Sequence, residues 1–237
     1  MDEVLGARSL VALVKAQDFR MTSVYLLIRE TDMRSILEEE SAIDLQHINV
    51  KVLLEGGADL DPVIPIFHEW IQNRVFTNQE LPELLIDVAD YRHVHHGPGI
   101  VLIGHEADYS IDNTDGRLGL RYNRKDQIPG TNQQKLAQAA TAALAATKYL
   151  QEDKRLNGKL CFNGHEVEIF INDRLLAPTG EDTRKALDPE LRQFADKLMN
   201  GSEYSLDHES DPRRLFGVAI HSARRFSVEE LLQNLGA

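Results

Sequence analysis

The chain has 237 residues, of which 42% are hydrophobic and 27% charged, and its formal net charge is −12. This composition argues against a disordered or fibrous protein. The negative charge repels phosphate backbones and anionic membrane surfaces, so we expect neither nucleic acid nor membrane as a partner. The length fits one large domain or two small domains that share a core.

Cysteine content and the first residues predict the cellular compartment. The chain has one cysteine, so an intramolecular disulfide is impossible, as suits a reducing environment. No apolar run approaches the roughly 18 residues that a membrane helix needs. Acidic Asp2 and Glu3 precede a short apolar run, whereas a secretory signal begins with basic residues. We therefore expect a cytoplasmic protein.

The first predicted elements are a short helix at 4–16 and a strand or buried helical turn at 23–29. Apolar residues then alternate with other residues from Ile48 to Leu54, which predicts a strand with one buried face. Asp61 as a cap and Pro62 at the first helical position predict a helix that ends near residue 76.

Two β-hairpins are predicted next. The apolar runs at 83–91 and 100–104 flank a Gly-Pro-Gly turn, which favours the first hairpin. A turn cluster at 113–116 separates Tyr109 and Ile111 from the alternating residues 118–122, which favours the second.

The second half of the chain carries clear helix and turn signals. Thr131 and Gln134 form a capping-box pair that opens a helix to about residue 152, and Ser227 with Glu230 does the same for 228–235. The remaining predictions are a hairpin around Asn163-Gly164, a helix opened by Asp188-Pro189, and strands at 203–208 and 214–221.

This order of helices separated by hairpins predicts an α+β fold with a mixed or antiparallel sheet and helices packed on one side. We divide the chain into an N-terminal segment (1–45) and two α+β halves (46–126 and 127–237) that share one core.

A cluster of histidines is the one unusual feature. His93, His95, His96 and His105 fall within thirteen residues, and Asp90 is near them. Imidazole and carboxylate together bind divalent transition metals, so the cluster supplies enough ligands for a metal site.

Two arrangements of this cluster are open. A two-residue hairpin loop places His105 opposite Arg92 or Asp90, on the face away from His93. His105 beside Asp90 would be an oriented imidazole, as a general base needs. An odd-numbered loop instead brings His105 beside His93, as a metal site needs.

Local basic patches could form despite the acidic composition, and the tandem Arg213 and Arg214 could hold an anion or an acidic partner. The candidates are Arg213 and Arg214 with Arg224 and Arg225, and Arg121 with Arg124 and Lys125.

Two further motifs favour turns over ligand sites. The glycines of 97–99 lack the spacing of a phosphate-binding loop, so no cofactor is identified. The strand end at 171–174 could line a ligand pocket, but its Asn-Asp pair is more typical of a turn.

Four stretches resemble a bacterial protein family of unknown activity. They are Phe-His-Glu-Trp-Ile-Gln (67–72), Ile-Asp-Val-Ala-Asp-Tyr (86–91), Gly-Pro-Gly-Ile-Val-Leu-Ile-Gly-His-Glu (97–106) and Glu-Ile-Phe-Ile-Asn-Asp-Arg-Leu-Leu-Ala-Pro (168–178). The resemblance covers about residues 48–232 and implies no catalytic residue and no cofactor.

Two functions follow as hypotheses. The first is a binding module for a protein or small-molecule partner, or a homo-oligomer whose interface uses Phe67, Trp70 and Ile71. The alternative is a metal-dependent or histidine-based hydrolase centred on Asp90 and the four clustered histidines.

Overall fold

The computed structural model describes residues 43–55, 59–76 and 83–236. The predicted helix at 4–16 and strand at 23–29 lie outside these ranges. The strands are β1 (Ile48–Glu55), β2 (Leu85–Tyr91), β3 (Gly99–Gly104), β4 (Ala107–Asp112), β5 (Gly119–Arg124), β6 (Cys161–Ile171), β7 (Tyr204–His208) and β8 (Phe216–Ser222). The helices are α1 (Val63–Asn73), α2 (Asn132–Glu152), α3 (Glu181–Leu198) and α4 (Val228–Leu235).

The eight strands form one sheet in the order β2-β3-β4-β5-β1-β6-β8-β7. Every pairing in it is antiparallel. The predicted α+β class is therefore confirmed. Strand β1 lies between β5 and β6, so it joins the meander β2–β5 to the strands of the second half in a single sheet.

Alternation along the strands decides which face of the sheet the helices cover. Val50 and Val52 are wholly buried, and Tyr122 lies opposite Val50 on the same face. Gln138 of α2 donates a hydrogen bond of 3.0 Å to the Tyr122 hydroxyl, which places α2 on that face. Helix α4 and the apolar residues of α1 and α3 belong to the same buried cluster. The helices thus pack on one side, as predicted.

Two helix starts match the sequence signals and one does not. The capping boxes of Thr131 with Gln134 and of Ser227 with Glu230 are both formed. Pro189, by contrast, lies inside α3, which begins at Glu181. The acidic first turn of α3 marks its start, because carboxylates favour the positive end of the helix dipole.

The hairpin predicted at Asn163-Gly164 is wrong, because β6 continues through this dipeptide. Val52 pairs with Val167 and Leu54 with Phe162, so one residue of β1 opposes several of β6. Gly164 has φ 78°, and its carbonyl oxygen accepts a 2.8 Å hydrogen bond from the amide of Phe226. The turn-forming dipeptide therefore shapes a bulge.

The aromatic residues of α1 are part of the core. Phe67 is 0% exposed and Trp70 is 5% exposed. Trp70 contacts Phe76 and Tyr149 edge to face, at centroid distances of 5.5 and 6.0 Å. Since packing within the chain covers these rings, Phe67 and Trp70 do not form the oligomer interface suggested by the sequence.

Candidate ligand-binding cleft

The predicted histidine cluster is divided between two ends of a hairpin. Tyr91 pairs with Gly99 and Asp90 with Ile100, so the β2–β3 loop spans seven residues, 92–98. The prediction of a two-residue loop, and of the strand register that follows from it, is therefore wrong. His105 follows β3 at the far end of the hairpin, roughly 17 Å along the strand from the loop.

Each predicted site residue of this region has its own surroundings. His93, His95 and His96 are exposed in the loop, where the rings of His95 and His96 lie 4.0 Å apart. Arg92 binds Asp90 through two nitrogens and lowers the pKa of this carboxyl to about 2. His105 is 66% exposed and lies 3.3 Å from Glu106.

The Asp90–His105 pair needed for a general base is consequently not formed. Within residues 43–55, 59–76 and 83–236, no group of three or more His, Cys, Asp or Glu side chains is arranged to hold a metal.

The predicted basic patches are also divided by the fold. Arg121 and Arg124 are three residues apart on β5, so their side chains point to opposite faces of the sheet. Arg124 is 6% exposed on the helix-covered face, near the buried carboxylate of Glu83. Lys125 donates to Asp108 at 2.8 Å.

The other four arginines lie before and after strand β8, so they form two groups. Arg213 and Arg214 precede the strand, whereas Arg224 and Arg225 follow it. Each is paired with carboxylates: Arg213 with Asp211, Arg214 with Asp115 and Glu209, Arg224 with Glu230, and Arg225 with Glu55.

A cleft of about 820 Å³ opens on the sheet face opposite the helices. The register places Arg121 of β5, Lys51 of β1 and Glu168 of β6 in one row across its floor. Loops at one end of the sheet add Asp115 and Arg214. The cleft floor is therefore formed by strand residues that alternate along the chain with the residues that point into the core.

Most charges in this cleft are paired within the protein. Lys51 and Asp112 form a 2.5 Å ion pair, with side chains only 3% and 2% exposed. Arg117 reaches across β1 to Glu166 and to Glu168, the latter at 2.8 Å. These pairs leave little net charge at the centre of the floor.

His221 sits between two carboxylates of the same cleft. Its Nε2 lies 3.1 Å from Asp207, and its Nδ1 lies 3.6 Å from Glu166. Both carboxylates therefore lie beside the imidazole ring, on the β7 and β8 side of the face.

Within the described residues, two cations of the cleft form no ion pair: Arg174, which donates to the carbonyl oxygen of Arg213, and Arg121. Among the residues that the structure describes, no hydrogen-bond acceptor or carboxylate pairs with the Arg121 guanidinium. The guanidinium carbon lies over the Phe170 ring, 5.2 Å from the ring centroid. Burial lowers the pKa of Arg121, and the charges of Asp112 and Glu168 act in the opposite direction. The guanidinium stays charged at neutral pH.

The strand end at 171–174 forms a turn and borders the cleft. The Asp173 carboxylate accepts hydrogen bonds from the amides of Leu175 and Leu176, at 3.0 and 2.9 Å, so the predicted turn is confirmed. Arg174 lines the cleft and donates to the carbonyl oxygen of Arg213 at 2.5 Å.

No family model, curated protein or solved structure matches the chain. The resemblance noted in the sequence therefore stays a prediction. None of the helices in the described ranges is long and apolar enough to cross a membrane.

Proposed function

We propose that this protein is a binding module for a small organic anion, and that Arg121 receives the anionic group. The observation that carries the proposal is that, in the described part of the chain, no carboxylate or hydrogen-bond acceptor pairs with this guanidinium, which is partly buried beside Phe170. Withdrawing a charge from water without a partner destabilises a fold. A carboxylate or phosphate bound to Arg121 would offset that cost with two parallel charge-assisted hydrogen bonds.

The charges beside Arg121 favour it as the attachment point. Lys51 is held by Asp112, and Arg117 by Glu166 and Glu168, so these cations already have counter-ions. An incoming anion would have to break an internal pair to reach either of them. Arg121 offers its donors at no such cost.

The size and charge of the cleft favour a small ligand. A volume of about 820 Å³ suits a molecule of cofactor or metabolite size. Glu166, Glu168 and Asp207 would repel a long polyanion, and the net charge of −12 disfavours nucleic acid. The ligand thus carries few negative charges.

The proposed location is the cytoplasm. Cys161 is an exposed free thiol, and such a group stays reduced in that compartment.

A thermal-shift panel tests the proposal. The wild type, Arg121→Gln and Arg192→Gln are heated with carboxylates and, in a separate arm, with phosphate esters. Arg192 is a matched control, because it pairs with Asp188 on α3 outside the cleft. A bound ligand raises the melting temperature in a saturable way. We expect this rise in the wild type and Arg192→Gln but not in Arg121→Gln; a rise that survives in Arg121→Gln would contradict the proposal.

A further inference from the structure

Next to Arg121, the same face of the sheet carries two asparagines with unmet hydrogen bonds. Asn49 is 0% exposed, and neither its Oδ1 nor its Nδ2 has a partner in the described chain. Asn123 pairs with Asn49 across β1 and β5, and its Oδ1 is also unpartnered. Exchanging the oxygen and nitrogen of Asn49 does not help, since both atoms are unpaired.

Unpartnered buried amides are rare because they destabilise the fold. An apolar side chain of the same size would fill the Asn49 position without that cost. Arg121 and Asn123 lie two residues apart on β5, so their backbone positions are about 7 Å apart. The three side chains therefore form one group of unused donors and acceptors.

Phe170 and Arg121 lie beside this group on the same face of the sheet. Phe170 pairs with Asn49 across β6 and β1, while Arg121 lies on β5 at the other side of β1. The Arg121 side chain must cross β1 to come within 5.2 Å of the Phe170 ring. An anion that draws the guanidinium away from the ring would open space beside Asn49.

We infer that Asn49 and Asn123 determine ligand specificity, and that the ligand is an organic anion that also carries hydroxyl or amide groups. This inference rests on the proposed function. Arg121 binds the anionic group, and the two amides, which can both donate and accept, bind the uncharged polar groups. An anion with only an apolar chain would leave the amides unpaired and bind more weakly.

Two pairs of probes test this specificity. Gluconate and hexanoate share a carboxylate and a six-carbon chain, but only gluconate carries hydroxyls; glucose 6-phosphate and hexyl phosphate form the corresponding phosphate pair. Calorimetry on the wild type is expected to give at least about tenfold tighter binding of the hydroxylated member. Asn49→Leu and Asn123→Leu are expected to lose this preference while still binding the apolar anion.

Thermal melting supplies a readout that needs no ligand. Asn49→Leu is expected to melt above the wild type, because it removes an unpaired amide. Asn234→Leu is the control and is expected to melt lower, since the Asn234 amide donates to the carbonyl oxygen of Leu198 at 2.8 Å.

The outcomes separate this inference from the proposed function. Equal binding of both members of each pair, or a preference unchanged in both Asn→Leu variants, would overturn the inference and leave the anion site standing. A lower melting temperature for Asn49→Leu would also overturn it, because Asn49 would then have a structural role. Absence of binding by all four probes would overturn both.

Discussion

Lys51 and Asp112 form a 2.5 Å ion pair across strand β5, which lies between their own strands β1 and β4. The pair crosses β5 at Gly119, which faces Leu53 of β1 and Asp112 of β4. A Cβ atom at Gly119 would lie 2.9 Å from both Cγ and Cε of Lys51. The missing side chain of Gly119 therefore leaves room for Lys51 to reach its counter-ion.

Removing one partner of this pair should strongly destabilise the protein. Lys51→Met leaves the Asp112 carboxylate buried without its cation, and we expect a loss of about 3–5 kcal/mol in the free energy of unfolding. The double variant Lys51→Met/Asp112→Asn should recover a large part of that loss, because no unpaired charge remains. Urea unfolding of the two single variants and the double variant measures the coupling. Additive losses would show that the pair is not coupled.

Gly119→Ala should act through the same contact. The new methyl group would lie 2.8 Å from the carbonyl oxygen of Val52 and close to the Lys51 side chain, so one of them must move. We expect a destabilisation of about 2–3 kcal/mol in urea unfolding. In a Lys51→Ala background the penalty should be smaller, because alanine lacks the Cγ and Cε atoms that the new methyl group would meet. If Gly119→Ala has the same free energy of unfolding as the wild type, the sheet accommodates the methyl group without strain.

Glu83 predicts a pH dependence on the helix-covered face. Burial raises the pKa of this carboxyl above its ordinary value of 4.5, although the hydroxyls of Tyr109 and Tyr122 and the charge of Arg124 oppose the shift. The unfolded chain loses this proton at a lower pH than the folded chain does. The folded state therefore loses stability as pH rises from about 4.5 through the higher folded-state pKa.

Glu83→Gln removes that titration and keeps an oxygen acceptor for a tyrosine hydroxyl. We expect the variant to gain stability relative to the wild type as pH rises from 4.5, measured by urea unfolding at several pH values. A stability difference that is constant with pH would show that Glu83 does not titrate differently in the folded state.

The β6 bulge can be tested with a pair of glycines. Gly164 has φ 78°, and an added Cβ would lie 2.6 Å from the carbonyl oxygen of Phe226 and 2.5 Å from Cγ of Arg225. Gly158 has φ 71° but no heavy atom within 4 Å of an added Cβ. Gly164→Ala should cost about 3 kcal/mol and Gly158→Ala about 1 kcal/mol in urea unfolding. Equal losses would mean that the contacts with Arg225 and Phe226 contribute nothing.

Sequence patterns predicted the helices and strands better than they predicted which strands pair with each other. The alternation from Ile48 to Leu54 identified β1, although both of its faces are buried and not one, and the helix starts at Thr131 and Ser227 followed from local hydrogen bonds. Asn163-Gly164 was misinterpreted because a positive φ serves a bulge as well as a turn. The local signal is the same in both cases, and the long-range pairing with β1 decides between them.

The cleft could not be found by motif. Arg121 was noted in the sequence as part of a basic patch with Arg124, yet one strand turns the two side chains to opposite faces. Polar residues at alternate strand positions, such as Asn49 and Lys51, were the available signal. Which strands lie side by side depends on β1 inserting between β5 and β6, and no local pattern encodes that order.

The most direct test of the proposed anion site is a crystal structure of the protein with the ligand that gives the largest thermal shift. We predict that its carboxylate or phosphate lies within hydrogen-bond distance of the Arg121 guanidinium, with Lys51 still paired to Asp112. A ligand bound elsewhere, with Arg121 still resting on Phe170 and without an anion beside it, would contradict the account.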